Sequence, residues 1–132
     1  MSETREIKLT IYGNPVTKKN SQRMVYAKGR IIPLPSAKYS AFEKDAKKQL
    51  VEQYKGEPID YPVNLECKYF MQTRRKCDLV NLLEATQDTL IVAKVIADDN
   101  FSIVARVDGS EVLYDKENPR TEIVIRELLP FE

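Results

Sequence analysis

Five carboxylates, Asp78, Glu84, Asp88, Asp98 and Asp99, crowd the stretch DLVNLLEATQDTLIVAKVIADDN. At about 100° per residue, a helix over this stretch puts Leu79, Leu82, Leu83, Thr86, Leu90 and Ala93 on one face. Asp78, Asn81, Glu84 and Asp88 then fall on the other. The polar stripe holds no Lys or Arg, so Glu84 and Asp88, four apart, repel each other. Asp98-Asp99-Asn100 adds a second acidic group just beyond the helix. The chain has no His, so any metal would be bound mainly by oxygen, which favours Mg²⁺, Mn²⁺ or Ca²⁺. A hard divalent ion takes one or two carboxylates plus waters and substrate phosphate oxygens. In phosphodiester cleavage such an ion activates water and stabilises the leaving oxygen. The alternative is a solvated helix face, with Asp78 as its N-cap.

A basic complement lies upstream. Residues 1–76 hold 16 Lys and Arg against 8 Asp and Glu, a balance of +8; residues 77–132 hold 5 against 12, a balance of −7. Between Glu6 and Glu43 there is no acidic residue. Lys18-Lys19-Asn20-Ser21-Gln22-Arg23 offers cations for phosphates and small polar groups to hydrogen-bond them. Arg74-Arg75-Lys76 runs straight into Asp78 and so lies beside the candidate metal. Tyr26 and Tyr39 could stack on bases or simply pack in a hairpin and a helix. The plainer account of the asymmetry is that the two halves pair as surface charge. No sequence-reading helix is evident, so DNA would be recognised by shape rather than by base edges.

The elements that must position these groups read as follows. Glu6 to Tyr12 alternates as a half-buried strand and ends at Gly13-Asn14-Pro15. Met24 to Ile32 forms a hairpin around Lys28-Gly29, and Pro33 and Pro35 break the chain. Ser36 caps an amphipathic helix over Ala37 to Tyr54, with Tyr39, Phe42, Ala46, Leu50 and Val51 on its apolar side. Pro62 to Met71 is a strand with Val63, Leu65, Cys67 and Tyr69 on one side. Asp78 to about Val95 is the second helix. Phe101–Val107 and Glu111–Tyr114 flank Asp108-Gly109 as a second hairpin, and Thr121 to Leu128 is the last strand. Strands and helices do not alternate strictly, so the expected fold is α+β, a mixed sheet with two helices on one face, in one domain over 1–132.

Strand, acidic helix start and a following Asp-Asp pair together resemble the RusA family of Holliday-junction resolvases, whose pattern is D-x-D-N-x-x-K opening a helix, then D-D. Here the residues are Asp78-Leu79-Val80-Asn81-Leu82-Leu83-Glu84, then Asp98-Asp99; Asp88 matches a further acidic position. Gly13-Asn14-Pro15 with Lys18-Lys19-Asn20-Ser21 resembles the family's N-terminal strand and loop. The resemblance implies a homodimer that cleaves four-way DNA junctions with Mg²⁺ (Mn²⁺ as substitute). Asp78 and Asp99 match catalytic positions. Val80 replaces the family's second Asp and cannot bind metal, and Glu84 replaces its Lys. Glu84, one turn beyond Val80, is expected to supply the lost carboxylate. Catalysis would fall to Asp78, Glu84 and Asp99, and metal binding to these with Asp98. Asn81 and Asp88 would support them from behind. Lys18, Lys19, Asn20, Ser21, Arg23, Arg74, Arg75 and Lys76 would hold DNA. The alternatives are a degenerate site that binds branched DNA without cutting, and a calcium-stabilised structural domain, which the basic N-terminal half opposes.

The chain has no run of about 18 apolar residues, so no membrane span is expected. Met1–Ile7 lacks the apolar core of a signal peptide, which points to the cytoplasm. Cys67 and Cys77 are too few for a disulfide framework or a zinc site and read as reduced thiols.

Overall fold

The computed structural model describes residues 5–18 and 22–129, with Gln22, Arg23, Val25, Pro33 and Pro35 described as backbone. Its elements are β1 (Glu6–Tyr12), β2 (Gln22–Ala27), β3 (Arg30–Pro35), α1 (Ala37–Gln53), β4 (Val63–Met71), α2 (Leu79–Val92), β5 (Val104–Arg106), β6 (Glu111–Tyr114) and β7 (Arg120–Glu127).

Period-two alternation builds the main sheet. β7 lies between β1 and β4, antiparallel to both. Leu9, Ile123 and Cys67 form one cross-strand row, and Ile7, Ile125 and Leu65 the next. These side chains share a face, and Leu9, Ile11, Leu65, Cys67, Tyr69, Ile123 and Ile125 are buried on it. α1 lays Ala46 and Leu50 on that face, and α2 adds Leu82, Leu83 and Leu90 to the same core. The mixed sheet with two helices on one face is therefore as the periodicity predicts. Val51, expected on the apolar side of α1, is 43% exposed.

β1 is an edge strand, and α1 covers it. The Gln53 amide accepts from Thr10 N at 2.9 Å and donates to Thr10 O at 2.7 Å. Gln49 does the same for Tyr12, at 2.8 and 3.0 Å. Two glutamines thus stand in for a neighbouring strand and blunt an edge that would otherwise recruit one.

Three sequence expectations are corrected. Asp108-Gly109 does not turn a hairpin: β5 and β6 each pair in parallel with β4, one after the other along the same side. Side chains fill the gap between them. Asn64 exchanges two hydrogen bonds with the backbone of Asp108, and Ser110 Oγ accepts from Cys67 N. Pro33 and Pro35 do not break the chain but lie in β3. That strand pairs with β2 alone among the described strands, and an edge tolerates a residue without an N–H. Finally, α2 stops at Val92 rather than Val95. Lys94 takes a left-handed φ of 60°, and Val95 N and Lys94 N donate back to Leu90 O and Ile91 O. This is a Schellman ending with lysine where glycine is usual.

Candidate nuclease site

The position of α2 decides where the acidic residues point. Tyr69 OH and Thr86 Oγ1 lie 2.7 Å apart in the core. Thr86 Oγ1 donates to Leu82 O, so its bond with Tyr69 is accepted. That link fixes the helix against β4 with Leu82, Thr86, Thr89 and Leu90 inward. Glu84 is left exposed and Asp88 half-buried. Beyond the helix, Ile59 takes Ala97 N on its carbonyl and gives its own N–H to Val95 O. Val95, Ile96 and Ile59 are all buried. Asp98 and Asp99 therefore leave the core at an anchored point.

Asp88 lies close enough to Asp99 to repel it, and a cation pairs with Asp88. Lys18, from the loop after β1, bonds Asp88 Oδ2 at 2.8 Å and lies 5.7 Å from the centre of the Tyr39 ring. The Asp88 hydrogen bond raises its pKa above the ordinary lysine value, with smaller contributions from the Glu43 and Glu84 charges. Asp99 is raised above the usual carboxylate range, by desolvation first and then by Asp98, with Asp88 adding repulsion. Asp98 is lowered, because Asp99 N and the Asn100 amide donate to it. So Asp88 has a countercharge after all, supplied 70 residues away in sequence. No helix-face inspection reveals it. Glu43 was likewise missed; its only local signal is the i,i+4 spacing to Tyr39, whose hydroxyl donates to it at 3.1 Å.

Asp78 sits apart, at the N-terminus of α2. Its carboxylate accepts from Val80 N at 3.1 Å, the capping role open to it from sequence. Glu84 follows six positions on, roughly 9 Å along the helix axis. Asn81 is half-buried in the first turn, and Val80 is 66% exposed. Among the described residues, no three His, Cys, Asp or Glu side chains are grouped so that they could hold a metal ion together. The donors are all oxygen, and Asp99 is crowded by like charge. Such a set fits a hard cation that takes one or two carboxylates and fills its shell with water and phosphate.

A basic cleft of about 510 Å³ opens beside Asp78. Asn14 Oδ1 accepts from Gln72 N at 2.8 Å, tying the exit of β1 to the exit of β4, and both residues line the cleft. Thr17, Lys38, Thr73, Arg75 and Lys76 line it, and no Asp or Glu does. Arg74 turns away onto the Tyr114 ring, 4.2 Å from its centre. Lys38 and Thr17 also line the cleft and were not singled out from the sequence. Lys19, Asn20 and Ser21 lie outside the described residues, as does the side chain of Arg23. Tyr39 is 1% exposed and packs in the core, whereas Tyr26 is 76% exposed.

A family profile described as Endodeoxyribonuclease RusA matches residues 13–126. The chain belongs to the RusA family. Among curated relatives, the crossover junction endodeoxyribonuclease RusA of Aquifex aeolicus (strain VF5) is 35% identical over 100 residues. The match covers 76% of this chain and 77% of that relative. RusA membership makes this fold an endodeoxyribonuclease fold, and the matched span takes in the cleft, α2 and the Asp98-Asp99 pair. Asp78, Val80, Glu84, Asp98 and Asp99 all lie within the matched span. A positive charge reaches the surroundings of Glu84, from Lys18.

Proposed function

We propose that this chain is a divalent-metal-dependent endonuclease that resolves four-way DNA junctions as a homodimer in the cytoplasm. The observation that carries the reading is the juxtaposition of a carboxylate-free basic cleft with Asp78, at one end of a helix whose outer face leads to Glu84 and the Asp98-Asp99 pair. The whole chain acts as one nuclease domain. Lys38, Arg75 and Lys76 neutralise phosphates of one strand, and Thr73 offers a short polar side chain to the same backbone. Mg²⁺ or Mn²⁺ would be held by one or two carboxylates at a time, drawn from Asp78, Asp98, Asp99 and Glu84 (the last in place of the carboxylate lost at Val80), with water and phosphate oxygens filling its shell. When bound, that ion would supply activation of water and stabilisation of the leaving oxygen. Lys18 neutralises Asp88, so the negative charge left near the strand is concentrated on the remaining carboxylates. Asn81 and Asp88 would support these carboxylates from behind. Two symmetric nicks are needed to resolve a junction, and a two-fold dimer presents two such sites.

A second reading has one observation in its favour. Val80, 66% exposed, stands where the family pattern has a carboxylate, which suits a dimer that binds branched DNA without cutting it. A labelled four-way junction and a matched linear duplex, each with Mg²⁺ and with EDTA, separate the two. Metal-dependent nicks confined to the junction are expected. Tight junction binding with no nicks under Mg²⁺, Mn²⁺ or Ca²⁺ would establish the binding module instead.

A further inference from the structure

The β2–β3 hairpin is a separate two-stranded sheet. Lys28 and Gly29 turn it at φ of 51° and 76°, the pair of positive values that a tight hairpin turn of this twist requires. Tyr26 pairs with Ile31 across the strands, so both project from one face, with Met24 beside them. These three are 76%, 69% and 69% exposed. The opposite face carries Ile32 and Leu34, at 37% each. A hairpin alone is marginal in water, and an exposed aromatic-aliphatic face of this kind marks a contact surface.

Charge identifies the occupant. Residues 7–42 carry Lys8, Lys18, Lys19, Arg23, Lys28, Arg30 and Lys38 and no carboxylate. Two copies of this hairpin placed face to face would confront Lys28 and Arg30 with like charge and nothing to match it. A polyanion matches it, and flat apolar groups among cations suit exposed bases. Apolar side chains wedged between base steps are a known route to unstacking and bending DNA. We propose that the hairpin enters the branch point of the junction, with Tyr26 and Ile31 against unstacked bases and Lys28 and Arg30 on the flanking phosphates. This rests on the junction-nuclease reading and adds how branched DNA is told from duplex. The wedge engages only where bases are already open, and so are cheap to unstack.

The test uses a four-way junction with 2-aminopurine at the branch pair, in EDTA so that nothing is cut. Wild-type protein should raise its fluorescence on binding. Tyr26→Thr combined with Ile31→Thr keeps strand-forming residues but removes the wedge. This variant should lose the fluorescence rise and roughly tenfold or more of junction affinity, as expected for a lost stacked base, while holding linear duplex within about twofold. Tyr26→Phe should retain the rise. Its mass in solution without DNA should match wild type. A wild type that binds the junction without any rise overturns the wedge and leaves the nuclease reading standing, as does an unchanged rise in the Thr variant. A variant that loses a subunit assigns the face to a second copy. A wild type that binds no junction removes both readings.

Discussion

Asp78 and Asp88 show why identical side chains on one helix face need not share a role. Asp88 is neutralised by Lys18 at 2.8 Å, whereas the Asp78 carboxylate accepts from its own helix, at Val80 N. Asp78→Asn should therefore abolish cleavage while junction binding holds or tightens, because a negative charge beside the phosphate cleft is lost. Asn still caps a helix, so stability should be unchanged; cleavage at the wild-type rate would show that Asp78 holds no ion. Asp99→Asn should behave alike in a gel-shift and nicking assay. Glu84→Gln tests the replacement carboxylate: shape is kept and charge lost, so the Mn²⁺ concentration for half-maximal cleavage should rise. A wild-type midpoint would move that role to Asp98. Lys18→Met distinguishes a cation that serves the acidic cluster from one that touches DNA. A phosphate contact would lower the log–log salt slope by about 0.9; an unchanged slope is expected, with tighter Mn²⁺ binding. The acidic stripe was legible in the sequence because it lies on one helix. Its partner was not, because Lys18 reaches Asp88 from a loop 70 residues away.

The elements were more legible than the pairings between them. Strict alternation located β1, β4 and β7, and Ser36 marked the start of α1, its side chain accepting from Tyr39 N. Asp108-Gly109 misled, since a Gly at φ 87° serves a short break in an edge as well as it serves a hairpin. Local composition does not say which. The difference lies in Asn64, a buried polar residue in β4. Its side chain replaces the missing strand by exchanging two hydrogen bonds with Asp108, at 2.8 and 3.1 Å. Asn64→Leu keeps the volume but removes both bonds to the Asp108 backbone. It should cost about 2 kcal/mol, read as a lower urea midpoint with unchanged slope. A midpoint equal to wild type would mean that water serves Asp108 equally well. Gly109→Ala attacks the same break from the other side. Its Cβ would run into the Glu66 carboxylate at a positive φ, so destabilisation of about 1–3 kcal/mol is expected.

Over the whole molecule, the basic and acidic halves cancel only in part. Arg5–Glu127, Lys18–Asp88 and Lys68–Glu111 join them across the fold, and Arg120 is bonded within the acidic half to Asp115 and Glu122. Plain surface pairing predicts that the remaining cations are similarly matched. The cleft departs from that: Lys38, Arg75 and Lys76 are exposed and line it with no carboxylate among them. If they hold phosphates, each releases a condensed counterion from DNA on binding. Changing all three to Ala should then lower the slope of log affinity against log salt by roughly 2.7 on duplex arms. The loss should be similar for junction and linear DNA, because phosphates carry no shape information by themselves. The hairpin substitutions, by contrast, should reduce junction preference and leave the slope near its wild-type value. Fluorescence anisotropy over a salt series measures both quantities in one experiment. A slope unchanged in the triple variant would mean that the cleft does not carry the strand, and the DNA path would have to be sought elsewhere on the basic half.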